Sequence, residues 1–385
     1  GRVDTFDVDM YVFDKENNFD LCHTKLIVQD NQNACPDNLS SGMVSGLIYV
    51  SNNNIADLVP VQCQNLVNSE MRESVTTNNG TYAFENLTMQ TDYVIKPLLN
   101  TDHLKGVSTK DIVKIQKHIL GIESLTDPYK LIAADVNISK SITAKDISDI
   151  RKLILGVTPT FQNSPSWTFV DAGFKFDPSN PFDFPNFIKI NQMSKPMLEN
   201  NFVAVKIGDV TGEANTGSLN HAGQRTNEIC GFEMELSPVQ IDQEIRIPFY
   251  TSTSWNEVEG MQFELGFDAN LLSFERIESN QIVLDQSNYK SNNGSIRMSW
   301  STNVETNIVT TEPLFYLVFT GKINGELNPN VIQLHAQNMA PEFYTNRTDA
   351  NITLLLRNKK ASSATYELYQ NIPNPFSGKT TIYYR

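Results

Sequence analysis

Basic residues are scarce and scattered: 30 Lys and Arg stand against 44 Asp and Glu, a net charge of −14. Such a chain repels nucleic acid and anionic membrane surfaces, whose binding requires clustered Lys and Arg. Long apolar runs are missing too. The longest stretches, such as Leu314–Val318, fall far short of the roughly 20 residues of a membrane-spanning helix. Cysteine is rare. Cys22, Cys35, Cys63 and Cys230 lie far apart, with no CxxC and no nearby His pair, so a zinc site is disfavoured. Three disulfide connectivities are open, and the sequence does not choose among them. The five histidines (His23, His103, His118, His221 and His335) are isolated, and there is no HExxH, G-x-S-x-G or phosphate-binding glycine loop. No catalytic residue and no organic cofactor is expected.

What is present is a multidomain β-protein. At roughly 100–200 residues per domain, 385 residues make two to four domains. Apolar residues at 40% and charged residues at 19% suffice for buried cores. Asn is about one residue in ten, with Ser and Thr also abundant. Together with Val, Ile, Phe and Tyr this composition indicates an extracellular β-protein, polar on its outside. Sequons at Asn38, Asn79, Asn86, Asn137, Asn293, Asn346 and Asn351 are what chance gives in an Asn-rich chain. Gly1 is not followed by an apolar leader, so a mature form or an excised piece is expected.

Along the chain, Phe6–Phe13 and Leu21–Val28 read as a hairpin, the last strands of a sandwich in residues 1–31. Residues 35–98 read as a small sandwich in which Tyr82 and Phe84 share one face. Residues 158–215, rich in Phe and Pro, are expected as an irregular and β extension of short strands and loops packed on the helices, with a good strand at Phe202–Val210. The stretch 225–358 carries eight strand-like segments at sandwich spacing, and 365–385 opens a further strand-rich piece.

The strongest signal is an internal repeat in 99–157. Gly106–Gly121 aligns with Ser141–Gly156, each with a Ser or Thr cap three residues before an Asp. Ile112, Ile115 and Ile119 recur at helical spacing, as do Ile147, Ile150 and Ile154, and a Gly closes each helix. The preceding loops have calcium-loop spacing, with an oxygen ligand at every second residue. In the second, Asp135, Asn137, Ser139, the Ser141 carbonyl, Thr143 and Asp146 are the candidate ligands. In the first, the same count gives Asn100, Asp102, the Gly106 carbonyl, Ser108 and Asp111, but Leu104 takes a ligand position, so this loop is degraded. Lys105 and Lys140 stand where the tight turn favours Gly. Asp209–Glu213 starts like a third loop without a closing acid and is read as a turn.

This duplicated unit resembles the dockerin module, a pair of calcium loop–helix units. The pattern from Gly260 to Phe274, "G-x-x-F-x-L-x-F-D-x-x-L-L-x-F", resembles the cohesin superfamily, the jelly-roll partner of dockerins. Gly80-Thr-Tyr-Ala-Phe resembles the carboxypeptidase-regulatory sandwich, and Cys22–Asp30 the closing strand of hyalin-repeat or immunoglobulin-like modules. Leu368–Ser377 resembles the opening of a type IX secretion sorting tail. The expected fold class is mostly β and multidomain: immunoglobulin-like or carboxypeptidase-regulatory-like sandwiches and a cohesin-like jelly roll, with one small helical dockerin-like module.

These resemblances imply a secreted or cell-surface protein of a Gram-negative bacterium. It would hold modules of its own chain, neighbouring chains or cell-surface partners by calcium-stabilised contacts, in adhesion or in filaments. The alternative is the non-catalytic portion of a larger secreted polysaccharide-degrading enzyme. Asp171, Asp177 and Asp183 near Trp167 have the makings of a sugar groove, but loop capping explains them as well. The family's contact positions fall on Thr109, Lys110, Ala144 and Lys145. Their expected counterparts are Glu233, Glu235, Glu257, Glu259 and Glu264, more readily within one chain than between chains.

Overall fold

The computed structural model describes residues 2–13, 19–30, 41–50, 54–178, 180–216 and 228–357, and parts of 369–383. Strands β1 (Arg2–Phe13) and β2 (Phe19–Asp30) form the expected hairpin as a two-stranded sheet. Next come β3 (Gly42–Val50), β4 (Pro60–Asn65), β5 (Met71–Val75), β6 (Thr81–Leu87) and β7 (Tyr93–Pro97). Three helices follow, α1 (Thr109–Ile119), α2 (Pro128–Ala134) and α3 (Ala144–Ile154). Then β8 (Trp167–Asp171), β9 (Ile188–Ile190) and β10 (Phe202–Lys206) return to the first sandwich. The last domain contains β11 (Ile229–Met234), β12 (Glu244–Thr251), β13 (Val258–Phe267), β14 (Leu272–Ser279), β15 (Tyr289–Asn292) and β16 (Ser295–Ser301). It is completed by β17 (Phe315–Gly321), β18 (Ile332–His335), β19 (Glu342–Thr345) and β20 (Asp349–Leu356).

The first sandwich has sheets in the order β6-β3-β10-β8 and β5-β4-β7-β9. Strict alternation in β3 and β7 turns Val44, Ile48, Tyr93 and Ile95 into a common core with Val61, Tyr82 and Phe84. Here the structure corrects the sequence reading. Residues 158–215 do more than cover the helices, since they supply three strands to this sandwich, with β10 parallel to β3. The cause lies in β10, where all five residues are buried. Phe202 and Ala204 point into the sandwich, while Val205 and the following Ile207 join Ile112, Ile115, Ile150 and Ile154 of the helices. A strand covered on both faces reads as a continuous apolar run rather than an alternation.

The last domain folds its sheet over on itself. Strands β13 and β17 stand five places apart in the order β14-β17-β12-β11-β20-β19-β13-β16-β15. Yet Phe263 of β13 stacks on Phe315 of β17 at 5.9 Å, and Phe232 lies edge-on to both. Two halves of one sheet therefore face each other across an aromatic core, which makes a sandwich. No described helix is long and apolar enough to cross a membrane.

Candidate calcium loops and the helix-docking face

Helix α3 starts as its sequence requires. The Thr143 hydroxyl accepts the Lys145 N–H, and the Thr143 N–H donates to Asp146 Oδ2 at 2.9 Å. The loop before it is wound around Asp135, whose two carboxylate oxygens accept the N–H groups of Ser139 (2.9 Å) and Lys140 (2.7 Å). Ile138 and Lys140 take left-handed φ values of 58° and 60° to close this turn, a conformation that favours Gly. The Ser139 hydroxyl donates to the Ser141 carbonyl at 3.0 Å, and Asn137 is half-buried beside them. Asp146 is fully buried, and its Oδ1 has no hydrogen-bond partner. Burial pushes its carboxyl above the ordinary range, and the Asp135 charge adds to the shift. An orphaned carboxylate oxygen that feels the charge of a second carboxylate suits a hard divalent cation. Thr143 is occupied by capping.

The first loop is built differently. Asn100 Oδ1 accepts the Ser166 N–H at 2.8 Å. Asp111 is fully buried, and every donor it needs comes from protein. Oδ2 accepts the Ser108 N–H and hydroxyl, while Oδ1 accepts the N–H groups of Val210 (2.9 Å) and Thr211 (3.0 Å) and the Thr211 hydroxyl. Asp209 holds that segment in a tight turn by accepting the N–H groups of Gly212 and Ala214. Ala214 in turn sits against Gly106, where an added Cβ would meet its backbone N at 2.7 Å. The ammonium of Lys206, 2% exposed, donates to the His103 carbonyl at 2.7 Å and feels the charges of Asp209, Asp111 and Asp102. Burial lowers its pKa to about 8. The Asp209 turn thus packs into the first loop.

The expected contact positions separate. Outward-facing Gln262 of β13 is only 3% exposed because the start of α1 covers it, and Glu264 is 5% exposed beside Arg297 and Asn338. Thr109 N–H, free of any helical partner at the first position, donates to Gln262 Oε1 at 2.7 Å. Its hydroxyl pairs with Ser299 of β16 at 2.7 Å. Gly260 allows the approach, as a Cβ there would meet Val113 at 3.2 Å and Thr109 at 3.4 Å. Lys110 pairs with Asp349 at 2.5 Å and Glu213 at 3.6 Å, and Lys117 with Glu259 at 2.6 Å. Arg151 of α3 donates to Ser301 at 2.8 Å. Of the expected acidic partners, Glu259 meets a helix lysine. Glu264 faces Arg297, its cross-strand neighbour, Glu257 pairs with Arg347, and Glu233 lies by Arg357. Lys145 stays exposed and pairs with Asp149 of its own helix.

The remaining candidates have structural duties. Asp171 accepts the Gly173 N–H in a turn, and exposed Asp183 pairs with Lys140. His118 Nδ1 accepts the Leu125 N–H. Cys63 and Cys230 are free and buried in different cores, while Cys35 lies outside the described residues. Burial raises the Cys63 thiol to about 11. Half of the residues that resemble a sorting tail, five of Leu368–Ser377, also lie outside the described residues. Among the described residues no group of three or more His, Cys, Asp and Glu converges.

No protein-family model matches this chain, and no curated protein matches it. Solved structures similar to it include the sixth cohesin of scaffoldin B from Acetivibrio cellulolyticus, solved in complex with a Cel5 dockerin mutant. That likeness has 16% identity and a TM-score of 0.25, over 33% of this chain and 99% of the cohesin. A cohesin module of a family 33 glycoside hydrolase from Clostridium perfringens is similar at 12% identity and a TM-score of 0.25, over 33% of this chain and 98% of that one. A non-cellulosomal cohesin from Archaeoglobus fulgidus is similar at 14% identity and a TM-score of 0.23, over 34% and 94% respectively.

Proposed function

We propose that this chain is a non-catalytic, extracellular structural protein whose helical unit clamps two β-sandwiches together, with one calcium ion fixing the second loop. The observation that carries the reading is the buried polar seam between Thr109, Gln262 and Ser299, which seats α1 on the last sandwich within the same chain. The other side of the helical unit shares an apolar core with β8 and β10 of the first sandwich. A unit held from both sides transmits force as one body and does not turn over a substrate. The orphaned Asp146 oxygen supports calcium in the second loop, whereas in the first loop Lys206 and the Asp209 turn supply the positive charge and the donors. Export to the cell surface or medium rests on the sorting-tail motif at Leu368–Ser377.

Melting with and without a chelator tests this. With free calcium a hundredfold above its dissociation constant, chelation costs about 2.7 kcal/mol. The fall in Tm is expected in the wild type and in Asp111→Asn, and is expected to vanish in Asp146→Asn. A chelator-insensitive wild type removes calcium from the proposal. A chelator response that survives Asp146→Asn moves the ion to another site.

A further inference from the structure

Because α1 is pinned at its start, the two helices leave an open groove where they pass the edge of the last sandwich. The cavity measures about 730 Å³ and lies between the end of α1, one face of α3, and strands β15 and β16. Its charge is opposite to that of the chain. Arg151, Lys152 and Lys290 line it, and no carboxylate does, although the whole chain carries a net charge of −14. The nearby acids stay outside the lining: Asp149 holds Lys152 at 3.3 Å, and the Asp285 charge acts on Arg151.

Two further features narrow the occupant. Ile119 and Leu120 at the end of α1 and Val157 after α3 leave 40%, 48% and 49% of their surface exposed along this groove. An inorganic anion would leave that apolar surface in water, whereas aliphatic side chains would cover it. Strand β15, last in its sheet order, adds a backbone edge along the same wall.

We propose that the groove between α1, α3 and strand β15 binds an extended acidic peptide segment with aliphatic side chains, contributed by another protein. Arg151, Lys152 and Lys290 select its carboxylates, and the outer edge of β15 pairs with its backbone. The site is independent of calcium in the second loop.

Selection of a phage-displayed random heptapeptide library on the full-length protein tests this. The enriched sequences are expected to combine Asp or Glu with Leu, Ile or Val. A synthetic peptide of the enriched sequence is expected to bind Lys152→Glu/Lys290→Glu at least tenfold more weakly than the wild type, with the melt of the variant unchanged, since both side chains are exposed. No enrichment, enrichment without acidic residues, or equal binding to the variant overturns the proposal. So does displacement by free glutamate at the peptide's own concentration, because the aliphatic and backbone contacts would then contribute nothing.

Discussion

Replacing Gln262 by Leu is expected to do more damage at the α1 seam than removing its most visible ion pair. Gln262 is 3% exposed, accepts the Thr109 N–H at 2.7 Å, and donates to the Ala340 carbonyl at 3.2 Å and to Glu342 at 3.3 Å. Leucine fills nearly the same space but leaves the Thr109 N–H, on a fully buried residue, with no acceptor. An unpaired buried donor costs about 1–3 kcal/mol, and the stranded Ala340 carbonyl adds to it. The sum is about 2–4 kcal/mol. In Lys110→Met, by contrast, the lost partners Asp349 and Glu213 keep 33% and 40% of their side-chain surface in water. Pairs of that kind contribute about 0–1 kcal/mol. Thermal melts should show Gln262→Leu lower by about 5–10 °C and Lys110→Met by at most a few degrees. Hydrogen exchange should show protection lost across Thr109–Ile119 in the first variant and kept in the second. An equal or larger effect of Lys110→Met would refute the reasoning, because charge and not the buried donor would then be holding the helix.

The pH dependence isolates Lys206. Its folded pKa, about 8, lies below the ordinary 10.5, so the unfolded chain holds this proton more tightly between those values. The contribution of this group to stability therefore rises with pH across that window, by about 3 kcal/mol in all. Lys206→Met should lack the rise, and urea titrations at about pH 8 and pH 10 with equal slopes in both proteins would contradict it. The buried thiols and tyrosines are common to both proteins and cancel. At position 140, Lys140→Gly relieves the left-handed φ of 60° and removes a positive charge from the second loop. Calcium affinity by titration calorimetry should rise roughly two- to tenfold, and an unchanged or weaker affinity would count against the ion's position. Cys63 and Cys230, buried with raised thiol pKa values, should react with an alkylating reagent only on unfolding, read by peptide mass mapping. Labelling of either in the native protein would show that its core opens.

Local rules decided how much of the fold was legible. Capping residues and Gly121 and Gly156 predict α1 and α3, and both glycines adopt φ near +70° as helix-closing residues do. The alternation in Tyr82 and Phe84 is kept, and eight strand-like segments of the last domain form strands. Helix α2 was missed, although Asp127 followed by Pro128 is a cap with proline at the first position, and Asp127 does accept the Tyr129 N–H. Strands β15 and β19 have four residues each, too short for alternation to show. The placement of β10 beside β3 was beyond reach. Apolar continuity reveals burial on both faces, but nothing local names the strand that will lie alongside, some 150 residues away in sequence.

The same division runs through the site. Spacing alone marked the oxygens of the second loop, and the structure gathers Asp135, Ser139 and Ser141 by hydrogen bonds within four residues, with Asp146 closing the loop. In the first loop the decisive partners come from far along the chain. Val210 and Thr211 reach Asp111 across about a hundred residues, and Lys206 reaches His103 across as many. Leu104 marked a position without a ligand oxygen, but the partners of Asp111 were written elsewhere. The segment Asp209-Val-Thr-Gly read as a turn, and it is one. Its consequence lay in where β10 carries it. By ending against the helices, β10 brings Lys206 to the His103 carbonyl and carries the turn whose N–H groups bond the buried Asp111, contacts that leave no trace at the loop itself. The docking face follows the same physics. Gln262 sits between Met261 and Phe263 at a position that alternation assigns to solvent, and only the arrival of α1, more than 150 residues earlier in sequence, makes it a buried acceptor. A residue whose role depends on a distant element carries no local signature, so the positions that seat α1 on the last sandwich are those where the pattern looked most ordinary.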